Sequence, residues 1–252
     1  MGGWNAQSGQ QTQQPYPPQQ PPYGQPAPPA APTTYMTLDD VVVRTGITAG
    51  TVIVIAALVM ATLDPSTAIG LALPAAIIGL VLGLVISFKQ ITSPVAILAY
   101  AAIQGVFLGA ISMVFENRYD GIVLQAVIGT FGVFAGMLVV YKTGAIRVTP
   151  KFTRWVVGAL IGVLALIVVN LVAGFFVEGG LGLRDGGPLA IIFSLVVIGI
   201  AALTFLLDFD MVDQAIRRGA PQKFAWYAAF GLVVGLVWLY LEILRLLSYF
   251  RD

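Results

Sequence analysis

The sequence predicts an all-α polytopic membrane protein, with seven transmembrane helices behind a disordered N-terminal tail. Of its 252 residues, 58% are hydrophobic and only 10% are charged, and the mean hydropathy is +0.89. Soluble proteins carry about 25% charged residues, because water must wet their surface. Seven apolar runs also reach the length of about 20 residues that a helix needs to cross a bilayer. A chain with this pattern must face lipid.

Residues 1–35 form the predicted tail, which is rich in Pro and Gln and carries no charged side chain. Proline removes backbone donors, and few aliphatic residues are present to build a core, so we expect disorder with polyproline-II character. Two interpretations of this segment are open. It is either a solvated spacer, which the composition favours, or a tail that recruits protein partners with aromatic grooves.

Residues 36–252 form the predicted seven-helix domain. Near its start, Thr37 is placed to cap a short amphipathic helix that has Asp39 and Asp40 in its first turn. Apolar runs then follow one another, with short breaks such as Asp64–Pro65 between them. The predicted spans are about 45–63, 66–88, 94–114, 121–141, 154–177, 188–207 and 224–247.

Pairs of glycines with a spacing of four residues recur inside these spans. The third and fourth spans, for example, contain Gly105 with Gly109 and Gly132 with Gly136. Small residues at this spacing let two helices approach closely in lipid. We therefore expect a close helix contact at each pair.

The 13 basic residues are distributed unevenly between the two sides of the predicted membrane domain. Cytoplasmic loops carry an excess of Lys and Arg, which predicts a cytoplasmic N-terminus and an external C-terminus. The inner side then receives Arg44, Lys89, Lys142, Arg147, Lys151, Arg154, Arg217, Arg218 and Lys223, and the outer side receives Arg118, Arg184, Arg245 and Arg251.

Two residue types are missing from the chain, since it contains no Cys and no His. Thiolate chemistry and imidazole-dependent hydrolysis or zinc binding are therefore excluded, and we expect neither an enzyme nor a resident cofactor. The basic residues also form no dense block, and nucleic-acid binding needs one. The bilayer itself is the expected partner.

The end of the sixth apolar run carries three acidic residues, Asp208, Asp210 and Asp213. On a helix, Asp210 and Asp213 share a face, whereas Asp208 points elsewhere. Such a pair can share a proton or hold a hard cation such as Ca²⁺ through its oxygens. The alternative is a solvated helix end whose acids balance Arg217 and Arg218. The pattern favours that alternative for Asp208 and leaves the other two open.

Glu242 lies within the seventh apolar run, with apolar residues on nearly every side. One interpretation is a pair with Arg245, three residues later, that neutralises both charges. The other is a carboxylate that binds a proton or an ion, such as calcium, inside the bundle. We favour the second, because a helix that faces only lipid needs neither charge.

At these residues the sequence resembles the Bax-inhibitor (TMBIM) family, in its bacterial YccA/YetJ-like branch. Three features carry the resemblance: the seven hydrophobic segments, the Phe209–Asp210 step before a basic loop, and Leu239–Glu242 in the last helix. The resemblance covers about residues 44–250. It implies a bacterial plasma-membrane protein in which six helices surround a central seventh.

The resemblance also implies a calcium leak that is gated by pH through two carboxylates, which Asp210 and Glu242 match by motif. Glu242 stands where the family usually has Asp, and Lys89 matches the family's basic partner near the second helix. Straight helices would leave Asp210 and Glu242 roughly 25 Å apart along the bundle axis. Asp213 is therefore the alternative partner of Asp210.

The expected function is a pH-sensitive cation leak channel, or a proton-linked ion carrier, gated by carboxylates within the membrane. The alternative is a non-transporting scaffold or stress-response regulator that recruits partners through its N-terminal tail. Loss of flux in variants of the carboxylates would favour the first. A phenotype of tail deletion with intact flux would favour the second.

Overall fold

A computed structural model describes Gly2, residues 34–177 and residues 180–251 of the chain. Met1–Thr33 and Thr34–Asp252 are separate units, and every described helix belongs to the second. Apart from Gly2, Thr34 and Tyr35, the predicted disordered tail lies outside the described residues.

Seven α-helices make up the second unit, and each is long and apolar enough to cross a membrane. The prediction of seven transmembrane helices is therefore confirmed, and the described residues contain no β-strand, only an isolated bridge. The helices are α1 (Leu38–Thr62), α2 (Pro65–Lys89), α3 (Pro94–Arg118), α4 (Ile122–Thr143), α5 (Pro150–Ala173), α6 (Pro188–Arg217) and α7 (Phe224–Tyr249).

The first helix begins earlier than the predicted span because of its N-terminal cap. The Asp40 N–H donates to the Thr37 hydroxyl oxygen at 3.2 Å, and the Thr37 N–H donates to the Asp40 carboxylate at 3.0 Å. This reciprocal capping box satisfies backbone donors that a helix start leaves free. The amphipathic helix predicted at Thr37 is thus the first part of α1.

The sixth helix continues well past its predicted end. Its predicted span stops at residue 207, but α6 ends at Arg217, and Gly219 then turns the chain with a φ of +67°. No helix-breaking residue lies between, so the helix includes its acidic segment. In α5, by contrast, both ends lie four residues before the predicted ones, because Thr149 caps the helix and Pro150 opens it.

The seventh helix lies at the centre of the bundle. It packs against α1, α3, α4 and α6, and its buried residues run along nearly its whole length, from Ala225 to Ser248. The predicted central position of this helix is therefore confirmed. The other two helices lie further out, since α2 packs on α3 and α5 packs on α6.

The outer surface of the bundle is apolar. Leu73 of α2, Leu124 of α4 and Leu171 of α5 are 68%, 65% and 64% exposed, and many other large aliphatic side chains are exposed as well. A soluble monomer does not expose a continuous apolar surface of this kind. The chain is therefore an integral membrane protein whose helices contact the lipid bilayer.

Only one of the two glycine pairs allows a close helix contact. A Cβ on Gly105 or Gly109 would lie 2.7–2.8 Å from atoms of α1. A Cβ on Gly132 or Gly136 would meet no atom of the described residues within 4 Å. The prediction is thus confirmed for the pair in α3 and wrong for the pair in α4, which faces away from other helices.

The two ends of the bundle are distinct. At the tail end, the Met36 N–H donates to the Ala220 carbonyl at 2.8 Å, and the Gln222 N–H donates to the Thr34 carbonyl at 2.9 Å. These bonds join the start of the described chain to the α6–α7 turn. At the far end lie the end of α7 and the α3–α4 and α5–α6 loops. Which end is cytoplasmic stays a prediction.

Candidate functional site: carboxylates along the α6–α7 interface

One face of α7 packs against α6, and Gly231 and Gly235 lie on this face. A Cβ on Gly231 would lie 3.8 Å from Oδ1 of Asp208, and one on Gly235 would lie 2.9 Å from the Phe205 ring. Helical spacing continues this face through Trp238 to Glu242. Because α6 and α7 run antiparallel, Asp208 lies on the tail-end side of this interface and Glu242 on the far-end side.

Glu242 is buried, with 2% of its surface exposed. Its Oε1 accepts a hydrogen bond from Arg184 Nη2 at 3.0 Å and another from Arg245 Nη1 at 3.1 Å. Arg245 is the neighbour that the sequence offers three residues away. Arg184 comes from the α5–α6 loop, and sequence reasoning missed it because no local pattern connects the two residues.

The surroundings of Glu242 contain polar atoms that lack partners. Glu242 Oε2, Arg184 Nε and the Tyr249 hydroxyl are buried without a hydrogen bond among the described residues. Nearly all buried polar atoms in proteins have a partner. Glu242 Oε2 is therefore an unusual buried oxygen, since the bonds to both arginines use Oε1 alone.

Opposing effects act on the pKa of the Arg184 guanidinium. Burial lowers the pKa of its guanidinium, the charge of Arg245 lowers it further, and the charge of Glu242 opposes both effects. Two guanidinium groups therefore share one carboxylate. Without the charge on Glu242, the two guanidinium groups would repel each other.

Asp208 faces α7 at Gly231, as the contact above shows. It is half-buried and makes no hydrogen bond or ion pair among the described residues. The sequence favours a solvated helix end for Asp208, but the structure places its side chain toward the central helix. The reason is that α6 extends far beyond Leu207, so Asp208 still lies inside the bundle.

Asp210 and Asp213 have other neighbours. Asp210 Oδ2 accepts a hydrogen bond from Gln214 Nε2 at 2.6 Å, and Asp213 forms an ion pair with Arg217 at 2.9 Å. The Asp213 side chain is 41% exposed and that of Arg217 is 76% exposed. An exposed pair of this kind contributes at most about 1 kcal/mol to stability, and it matches the solvated helix end described above.

The predicted site residues do not come together as one set. From Gly231 to Glu242, the axis of α7 rises roughly 16 Å, and Asp210 lies further toward the tail end than Asp208. Asp210, Asp213 and Glu242 therefore cannot share one calcium ion. Among the described residues, no group of three acidic side chains could hold a metal ion. Lys89 is exposed at the tail end of α2 and forms no ion pair with any of these acids.

An aromatic cluster lies at the α6–α7 interface. The Phe205 ring is fully buried against Gly235, and it makes an edge contact with Phe134 at 5.1 Å and a stacked contact with Phe209 at 6.3 Å. We call these three rings the Phe205 cluster. Phe205 of this cluster lies along α6 between Asp208 and the far end, where Glu242 lies.

Two cavities that contain charged side chains lie near the ends of α6. The tail-end cavity, of about 350 Å³, is lined by Asp210 and Gln214 of α6 and by Thr153 of α5. The far-end cavity, also of about 350 Å³, is lined by Arg184 and Asn170.

The family comparison covers almost the whole chain. The family model described as Bax inhibitor 1 like matches residues 3–252. No curated protein matches the chain. The matched range includes all seven helices and both interior carboxylates.

Proposed function

The chain belongs to the Bax-inhibitor-1-like family, whose members fit a membrane role of the channel type, and we propose that it conducts cations, calcium among them, as a pH-sensitive leak. One observation carries this proposal. The central helix holds a buried carboxylate, Glu242, whose charge ties down Arg184 from the loop at the far end.

In this proposal, acidic pH breaks the ion pair between Glu242 and Arg184. While Glu242 is charged, it holds both arginines through charge-assisted hydrogen bonds, which are about twice as strong as neutral ones. A proton on Glu242 removes the charge and leaves Arg184 and Arg245 to repel each other. The α5–α6 loop then loses its anchor, and the far-end cavity opens toward the α6–α7 interface.

The cation enters from the other end. Asp210 and Arg218 line the tail-end cavity, and Asp208 faces the interface without a cationic partner among the described residues. Carboxylate oxygens suit calcium, which prefers oxygen ligands. In this proposal calcium is the ion that passes, and it binds only transiently. The nine basic residues at the tail end support a cytoplasmic location for that end.

Calcium flux into vesicles that contain the reconstituted protein tests the proposal. Glu242→Gln keeps the shape of the protonated side chain, so its flux at neutral pH should approach that of the unaltered protein at acidic pH. Its dependence on pH should also be lost. The matched control is Asp213→Asn, which removes an exposed carboxylate at the helix end and should leave the pH profile unchanged. An unaltered pH profile in Glu242→Gln would refute the assignment.

A second candidate is a regulator that recruits partners through its tail. The contact that favours it is the pairing of Thr34 and Met36 with the α6–α7 turn, where Met36 is 2% exposed. A partner bound to the tail would thereby act on α6 and α7. Deletion of residues 1–33 tests this candidate: it predicts an altered cellular phenotype with unchanged calcium flux. Unchanged phenotype in the deletion variant would exclude it.

A further inference from the structure

A groove lies between α1 and α4 on the far-end half of the bundle. Both helices pack on α3 and α7, but a cavity of about 190 Å³ separates them. We call it the α1–α4 groove. Its rim includes Ile53 of α1 and Phe131 of α4, which are 48% and 42% exposed. The groove is therefore continuous with the surface that contacts lipid.

The wall of this groove presents no hydroxyl that needs a hydrogen bond from water. Only three of its residues are polar, and each hydroxyl already has a partner within the protein. Ser112 and Tyr240 share a hydrogen bond of 2.6 Å, and Thr130 donates to the Ala126 carbonyl at 2.7 Å. Apolar cavities of about 150 Å³ without free polar groups stay dry and accept apolar ligands.

The shape of the groove favours a hydrocarbon chain over a compact ligand. On α1 its wall extends from Ala49 to Met60, which is roughly 16 Å of helix. That length is about half of the ~30 Å hydrocarbon core of a bilayer, which is the depth of one leaflet. Met60 lies near the end of α1, and Val123 of the wall lies in the first turn of α4, so the groove belongs to the far-end leaflet.

We propose that the α1–α4 groove binds one acyl chain of a phospholipid from the far-end leaflet. The surrounding bilayer supplies such chains at the rim, and the dry wall matches their chemistry. The chain would lie against Leu236 and Val237 of α7, which are otherwise buried at 7% and 9% exposure. This inference does not depend on calcium conduction, since a lipid can occupy the groove in a protein that conducts nothing.

Photolabelling of the full-length protein tests the proposal. The protein is reconstituted in phosphatidylcholine vesicles that contain a phosphatidylcholine with a diazirine within one acyl chain, and labelled peptides are mapped by mass spectrometry. We expect label on Leu236 and Val237, at a level similar to that on Ile161, which is 61% exposed to lipid on α5. The buried control is Leu239, which is 0% exposed and does not line the groove. Label on Leu236 and Val237 no higher than on Leu239 would overturn the proposal.

A pair of variants separates binding in the groove from general contact with lipid. Ala57 lines the groove and is exposed, so Ala57→Phe fills the space without disturbing the core. It should reduce the label on Leu236 and Val237 to the level of Leu239. Ala165→Phe, at an exposed position of α5, should leave that label unchanged. Equal labelling of Leu236 and Val237 in both variants would refute the proposal.

Discussion

The contact between α1 and α3 at Gly109 leaves no room for a side chain. A Cβ there would lie 2.7 Å from the Ala56 carbonyl oxygen and 2.8 Å from the Val59 Cβ. The first of these atoms belongs to the backbone, so Gly109→Ala can be accommodated only if the two helices move apart. Overpacking of this kind typically costs about 1–3 kcal/mol. Gly136→Ala provides the matched control, because no atom of the described residues beyond its own helix backbone lies within 4 Å of the added Cβ.

Both substitutions remove the same helical disadvantage of glycine, which is about 1 kcal/mol relative to alanine. That gain cancels in the comparison, so Gly109→Ala should be less stable than Gly136→Ala by about 1–3 kcal/mol. Unfolding in mixed micelles by titration with dodecyl sulfate, followed by circular dichroism, measures the difference. Equal stability of the two variants would show that α1 and α3 do not approach each other as described.

Two further predictions concern α7 and the start of α2. Gly235→Ala should have a lower midpoint of thermal unfolding than Gly231→Ala. The Cβ at residue 235 would force the Phe205 ring to shift, whereas the Cβ at residue 231 would make only ordinary van der Waals contacts. Equal midpoints for the two variants would contradict the described packing of α6 on α7. The Asp64 carboxylate accepts a hydrogen bond from the Ser66 hydroxyl and caps α2, which holds the pKa of Asp64 well below its usual range. Its stabilisation is thus present above the pKa of the unfolded chain, about 3.9, and is lost as the pH falls below that value. The unfolding midpoint of Asp64→Asn should therefore lie below that of the unaltered protein at neutral pH and approach it in acid, and a constant difference would contradict this assignment.

Much of the helical architecture can be predicted from the sequence, because the bilayer requires long apolar helices and short breaks between them. The cap at Thr37 is equally readable, since it depends on residues three positions apart. The two glycine pairs show where such reasoning stops. Gly105 and Gly132 have the same local pattern, yet only the first faces another helix, and this depends on the packing of the whole bundle.

In the candidate site, too, some features can be predicted from the local sequence and others depend on the packing of the bundle. Glu242 stands out in the sequence, because a charge within an apolar run needs a partner. Its partner Arg184 does not, since it lies in a loop that only the fold brings to α7. The direction of the Asp208 side chain does not follow from the local sequence, because it depends on how far α6 continues. A local motif can identify a charged residue within a span, but the neighbouring helices decide what that residue faces.

The coupling between Arg184 and Glu242 can be measured by stability alone. In Glu242→Gln, two partly buried guanidinium groups lose their shared carboxylate, and removing one partner of a buried pair typically costs about 3–5 kcal/mol. Arg184→Met should cost less, because Arg245 still pairs with Glu242 at 3.1 Å. The double variant Arg184→Met with Glu242→Gln leaves only one guanidinium, so it should be more stable than Glu242→Gln alone.

A double-mutant cycle on these variants isolates the interaction, because residues in one ion-pair network couple by about 0.5–3 kcal/mol. Unfolding in mixed micelles supplies the four free energies. The same cycle between Arg217 and Asp213 serves as the control and should give a smaller coupling, since both of these side chains are exposed. Additive effects of Arg184→Met and Glu242→Gln would mean that the loop is not held by the carboxylate. In that case a proton on Glu242 could not release the α5–α6 loop, and the step that links acid to opening would fail even if the protein conducts calcium.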